Sequence, residues 1–89
     1  MNKTIITVVG KDSIGIIGNI CTYLSDKGIN VLNISQTIVD GFFNMMMIVD
    51  MPNDLEFSNT YDELVSLGEK LGVSIKMQRE EIFNKMHRI

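Results

Sequence analysis

One short run in this chain carries residue types suited to chemistry: Gly10-Lys11-Asp12-Ser13-Ile14-Gly15-Ile16, between a β-branched stretch and a helical pattern. Gly10 and Gly15 let the backbone turn sharply and let a ligand approach it closely. The amides of Ile14, Gly15 and Ile16 open a helix, where unpaired N–H donors and the helix dipole attract an anion. Asp12 puts a carboxylate beside those donors. A lone phosphate would be repelled by it. A zwitterion would suit both groups, with its carboxylate on the amides and its ammonium on Asp12. The same residues also have a plainer use, with Asp12 or Ser13 as the N-cap of the helix. Spacing leaves both uses open.

Other chemistry is sparse. Cys21 is the only cysteine, which excludes an internal disulfide framework and any Cys-x-x-Cys metal or redox motif. It sits in an apolar helical stripe, where a structural thiol is expected. His87 is the only histidine and stands in a solvated tail beside no other ligand, so no metal site is expected. Glu80-Glu81, next to Arg79, read as the solvated start of that tail. No Ser–His or Cys–His pairing offers an activated nucleophile, so the chain reads as non-enzymatic and without a cofactor. Seven methionines in 89 residues is a high number. Flexible thioethers fill irregular cores and line adaptable surfaces, and Met45-Met46-Met47 cannot all face one way.

Composition narrows the partners. Eighty-nine residues make one domain, 1–89, with residues 80–89 as an amphipathic tail. A hydrophobic content of 45% exceeds what so small a core needs, and the surplus points to an oligomer interface. The net charge of −3 and the scattered Lys and Arg residues argue against nucleic acid, which demands clustered cations. The longest apolar run, Met45 to Val49, is far too short to cross a bilayer. Residues 1–20 lack the pattern of a secretory leader. The expectation is a cytoplasmic protein that engages neither membrane nor nucleic acid.

The elements that must position the loop follow from periodicity. Residues 4–9 form a β-branched strand with apolar residues on both faces, as a central strand requires. A helix follows, with Ile17, Ile20 or Cys21, and Leu24 as its stripe and Gly28 as its left-handed C-terminal cap. Residues 31–39 alternate, with Leu32, Ile34 and Ile38 opposite Asn33, Ser35 and Thr37. Asp40-Gly41 signals a hairpin into residues 42–51, where Phe43, Met45, Met47, Val49 and Met51 share a face. Pro52-Asn53-Asp54 turns the chain into a second helix over about 58–71. Phe57, Tyr61, Leu64 and Leu71 line that helix, Thr60 and Glu63 suggest a capping box, and Gly72 closes it. Val73, Ile75 and Met77 mark the last strand. Ile82, Met86 and Ile89 then give a short C-terminal helix an apolar side that needs a partner surface. The order βαββαβ predicts an α+β, ferredoxin-like fold: a four-stranded antiparallel sheet, order 4-1-3-2, with two helices on one face.

With the elements in place, Val9-Gly10-Lys11-Asp12-Ser13-Ile14-Gly15-Ile16 followed by Lys27-Gly28-Ile29-Asn30-Val31 resembles an ACT domain. That family typically shows Asp-x-Pro-Gly-Ile/Leu in the loop, a helix, then Gly-Ile/Val-Asn-Ile entering the second strand. Gln36, the Met-rich third strand and the tail resemble short, free-standing bacterial and archaeal members, and the likeness spans essentially the whole chain. Ile14 stands where many members have Pro, which leaves this loop less rigid. The resemblance implies a regulatory domain that binds an amino acid or another small metabolite at a subunit interface. By position, its ligand residues would be Asp12, Ser13, Ile14, Gly15, Ile16 and Asn30. Asn30 offers two donors and an acceptor, and is equally a turn residue after Gly28. A homodimer is expected, answering to a metabolic enzyme or regulator. The alternative is a protein-interaction adaptor of the same fold with no small ligand. Other ferredoxin-like activities fit less well. A phosphate-cradling enzyme loop would need Arg, an RNA-recognition module needs strand aromatics that residues 4–9 lack, and a copper chaperone needs a Cys pair.

Overall fold

A computed structural model describes residues 2–11 and 15–79 of the chain; the helix expected over 80–89 lies outside the described residues. The first strand, Asn2–Gly10 (β1), is followed by a helix, Ile16–Asp26 (α1), and two strands, Asn30–Val39 (β2) and Phe42–Met51 (β3). A second helix, Phe57–Leu71 (α2), and a last strand, Val73–Arg79 (β4), complete the βαββαβ order. The sheet runs β2-β3-β1-β4 with every neighbouring pair antiparallel, which is the expected order read from its other edge. β1 therefore pairs on both sides, Ile6 lying between Met47 and Met77, and Val8 between Met45 and Ile75. All six of these side chains are buried.

Local chemistry explains the boundaries. Gly28 has φ +71°, and its amide bonds to Ser25 O at 3.0 Å while the Ile29 amide reaches back to Leu24 O at 2.9 Å. This is a Schellman closure, and it brings Leu24 and Ile29 together in the core. Asp40 and Gly41 both have positive φ, 51° and 79°, as a two-residue type I′ hairpin between paired Val39 and Phe42 requires. Two expectations for the helices need correcting. The buried stripe of α1 is Ile16, Ile20 and Leu24, with Ile17 and Cys21 only half-buried at its flank. The Thr60–Glu63 capping box does not form. Glu56 is the N-cap of α2, and Thr60, one turn inside, donates its hydroxyl to Glu56 O at 3.0 Å.

β3 alternates without a break, and its five expected core residues are all buried. β2 does not alternate cleanly. Val31 pairs with Val49 and Asn33 with Ile48, which leaves Leu32 as the extra residue of a β-bulge. The bulge turns Val31 to the helix side, where it packs against the core. Among the described residues, no helix is long and apolar enough to cross a membrane.

Three glycines separate close packing from mere permissiveness. A Cβ on Gly10 would stand 2.4 Å from Val73 Cγ1, so β4 can pair with β1 at that point only because the side chain is missing. A Cβ on Gly68 would meet Val73 O at 2.9 Å and Ile75 Cγ1 at 3.0 Å, which is how closely α2 lies on β4. At Gly18, on α1, a Cβ would meet nothing within 4 Å. One chemical change should therefore have opposite signs at two helical sites. Gly68→Ala is expected to cost about 1–3 kcal/mol through overpacking, at roughly 4–8 °C of melting temperature per kcal/mol. Gly18→Ala should add about 0.5–1 kcal/mol by removing glycine's excess backbone entropy. Thermal melts of the two variants beside the parent protein decide the matter.

Candidate functional site

What the structure describes of the loop after β1 is its entry into α1, at Gly15. Gly15 is the N-cap of α1, with φ +74° and no side chain to cover the helix's first amides. No acidic residue occupies the first turn of α1. Asn19 holds the Gly15 carbonyl from two directions, its Nδ2 at 2.6 Å and its backbone N–H at 3.0 Å. That double hold orients the point where the loop enters the helix. Ile16 can offer a ligand its amide but not its side chain, which is 2% exposed and part of the core. Asp12, Ser13 and Ile14 lie outside the described residues. Gly10 does not serve the sharp turn expected of it: it is a strand residue, and the space it frees is filled by Val73.

Asn30 lies elsewhere. It opens β2, is exposed, and pairs with Asp50, which pairs in turn with Lys3 at the start of β1. The loop leaves from the other end of the sheet, where Gly10, Phe43 and Ile38 form one row across the strands. From Asp50 to Phe43 along β3 is about 24 Å at 3.4 Å per residue. Within one chain, Asn30 and the α1 N-terminus do not meet.

Between those two ends runs a surface that alternation alone does not reveal. Ile34, Gln36 and Ile38 stand opposite Met47, Met45 and Phe43, so they lie on the sheet face that carries the helices. The helices stop short of them: Ile34 is 39% exposed and Ile38 70%. With Thr37 they line a shallow, open hollow along the outer edge of the sheet. The same period-two pattern describes a covered strand and an uncovered one. Only the position of β2 at the sheet edge distinguishes them.

A cluster of titratable groups joins the two helices. The Tyr23 hydroxyl donates to Glu63 Oε1 at 2.5 Å, and Lys27 Nζ lies 3.3 Å from the same oxygen and 5.8 Å from the Tyr23 ring centre. Partial burial, then the bond to Glu63, push the Tyr23 phenol well above its ordinary range. The Tyr23 and Lys27 hydrogen bonds hold the Glu63 carboxyl below its usual value. These bonds on one carboxylate tie α1 and its C-cap Lys27 to α2. Among the described residues, no group of three or more His, Cys, Asp or Glu is arranged to hold a metal ion.

Known proteins resemble the chain over its full length. The sequence pattern that describes the ACT domain matches residues 2–78. A UPF0237 protein of Bifidobacterium longum is 62% identical over 90 residues, with 100% of both chains covered. Among solved structures, an ACT domain protein from Streptococcus pneumoniae is similar with a TM-score of 0.85 and 38% identity, over 92% of this chain and 93% of that one. A putative glycine cleavage system transcriptional repressor shares the fold, with a TM-score of 0.75 and 22% identity, over 88% of this chain and 45% of the other.

The Tyr23–Lys27–Glu63 cluster makes stability depend on pH in a definite direction. A carboxyl whose pKa is lowered by folding stabilises the native state above its ordinary value, and that support is lost as pH falls through the lowered one. Glu63→Gln should melt below the wild type at neutral pH. The gap should close as pH is taken down through the carboxylate range, as read by melting temperature against pH.

Proposed function

The chain belongs to the ACT domain family, and from that premise we propose that it is a cytoplasmic, non-catalytic regulatory module. It binds an amino acid at a site that a second copy of the chain completes. The observation that carries this proposal is the separation of the site's two halves in one chain, with an unblocked strand edge between them. β2 holds no charged residue and no proline to deter edge pairing. If two β2 edges pair antiparallel about a two-fold axis, the partner's Asn30 comes to the end of the sheet where β2 finishes and the loop leaves β1. The same pairing would bring apolar Ile34 close to its own mate at the two-fold axis and Ile38 to the start of the partner strand, using surface that the helices leave bare.

The ligand's chemistry follows from the groups so assembled. The amides at the Gly15 end of α1, which its glycine N-cap does not cover, take a carboxylate. Asp12 takes an ammonium, and the partner's Asn30 offers both donors and an acceptor to what remains. The putative repressor with this fold gives the regulatory role a precedent of architecture only.

A thermal-shift screen against the amino acids tests the proposal. A ligand at a hundredfold its dissociation constant stabilises the folded state by about 2.7 kcal/mol, so the right one should raise the melting point by about 10 °C or more. Asp12→Asn keeps the capping ability and removes the charge; it should abolish the shift, and wild-type binding by this variant would make Asp12 a cap only. Ile38→Lys, at an exposed edge position, should turn the dimer into a monomer in sedimentation and abolish the shift with it. If no amino acid moves the melting point at millimolar concentration, the domain is a protein-interaction adaptor.

A further inference from the structure

The two edge strands of the sheet are held in different ways. β4 turns Val73, Ile75 and Met77 into the core, all of them buried, and α2 lies directly on it. β2 is anchored only where it begins: Val31 packs against the core, and Ile29, just before the strand, is buried in it. From Leu32 to Val39 every residue is exposed, and none belongs to the core. What holds 33–39 is the ladder to β3, on one side only, because β2 is an edge strand. A ladder hydrogen bond in water barely offsets the chain entropy lost in making it, so side-chain burial must supply the rest. β4 has that burial. The far part of β2 does not.

Both ends of this stretch are built to pivot. The bulge at Leu32 already breaks the ladder between Val31 and Asn33. At the other end the Asp40-Gly41 turn stands clear of the fold, a Cβ on Gly41 meeting nothing within 4 Å. The chain is also long enough to let go. Val31 sits beside Val49, which lies about 24 Å from Phe42 along β3 at 3.4 Å per residue. Residues 32–41, released, reach about 33 Å.

We infer that residues 33–39 are a strap that opens from β3 while β1, β3, β4 and both helices stay folded. A strand that pairs along its outer edge adds a second ladder and holds it shut, so order at this edge is coupled to association. The opening needs neither the ligand nor the second copy proposed above; only closure by that copy rests on that reading.

Native-state hydrogen exchange on the full chain tests it, in Thr37→Arg, which sets a charge on the edge and deters pairing between chains. The amides of 33–39 that bond to β3 should exchange about a hundredfold or more faster than those of β4. Their rate should not change in urea well below the unfolding midpoint, because a small opening exposes little surface. An arginine-specific protease should cut after position 37 while the rest of the fold is intact, at a rate equally flat in urea. Exchange at 33–39 within about tenfold of β4 would overturn the inference. So would cleavage that climbs with urea as steeply as global unfolding does. In concentrated wild type, slower exchange of the same amides would identify a second copy as what shuts the strap. Exchange that stays fast at every concentration would support the strap and count against that copy.

Discussion

The rest of the structure depends on β1 being paired on both sides while both of its faces are apolar. Ile6 and Val8 are clamped between β3 and β4 along the sheet and form part of the core beneath the helices. Because the strand is fixed in this way, its last residue is fixed too, and the loop that follows leaves from an immobile point. Gly10 tightens the arrangement further. Val73 occupies the space its side chain would have filled, so β4 is held against β1 up to the point where the loop begins. The near end of α1 is held just as firmly, by Asn19 on the Gly15 carbonyl and by Ile16 in the core. The residues between Gly10 and Gly15 are thus strung between two fixed ends.

Much of this was legible in the residues themselves. The alternation of β3 is a local property and is written in five consecutive inward side chains. The Gly28 closure and the Asp40-Gly41 hairpin rest on backbone conformations that few other residues adopt at low cost, so their types announce them. What could not be read depended on neighbours distant in sequence. Glu63 looked like half of a capping box. It is instead drawn to Tyr23, forty residues earlier, and nothing near it in the chain signals that pairing. The bulge at Leu32 was hidden because a single extra residue leaves the pattern on either side intact. Its one trace is the adjacent apolar pair Val31-Leu32, out of phase with strict alternation.

For the candidate site, residue types were legible and placement was not. A sequence cannot say that the loop and Asn30 lie at opposite ends of a sheet until strand order and register are known. Once they are, the geometry separates two questions that the sequence had merged. The loop end presents the backbone amides that open α1 beyond a glycine N-cap. The β2 edge offers main-chain hydrogen bonds and bare apolar area, which suit another strand better than a small molecule. A site spread over both would link occupancy to association, because a ligand that touches two chains stabilises the pair as well as each fold.

The three consecutive methionines of β3 have a consequence of a different kind. Strand geometry sends Met45 and Met47 inward, 1% and 0% exposed, and turns Met46 outward at 39%. Sulfur reactivity toward peroxide follows solvent access, so three chemically identical neighbours become one vulnerable thioether between two shielded ones. Sulfoxide at Met46 would add a polar group at a surface position and leave the interior untouched. The same oxygen on Met45 or Met47 would have to be accommodated among close-packed aliphatic chains. Strand β3 therefore confines oxidative damage to the one methionine of the three where a polar group is tolerable.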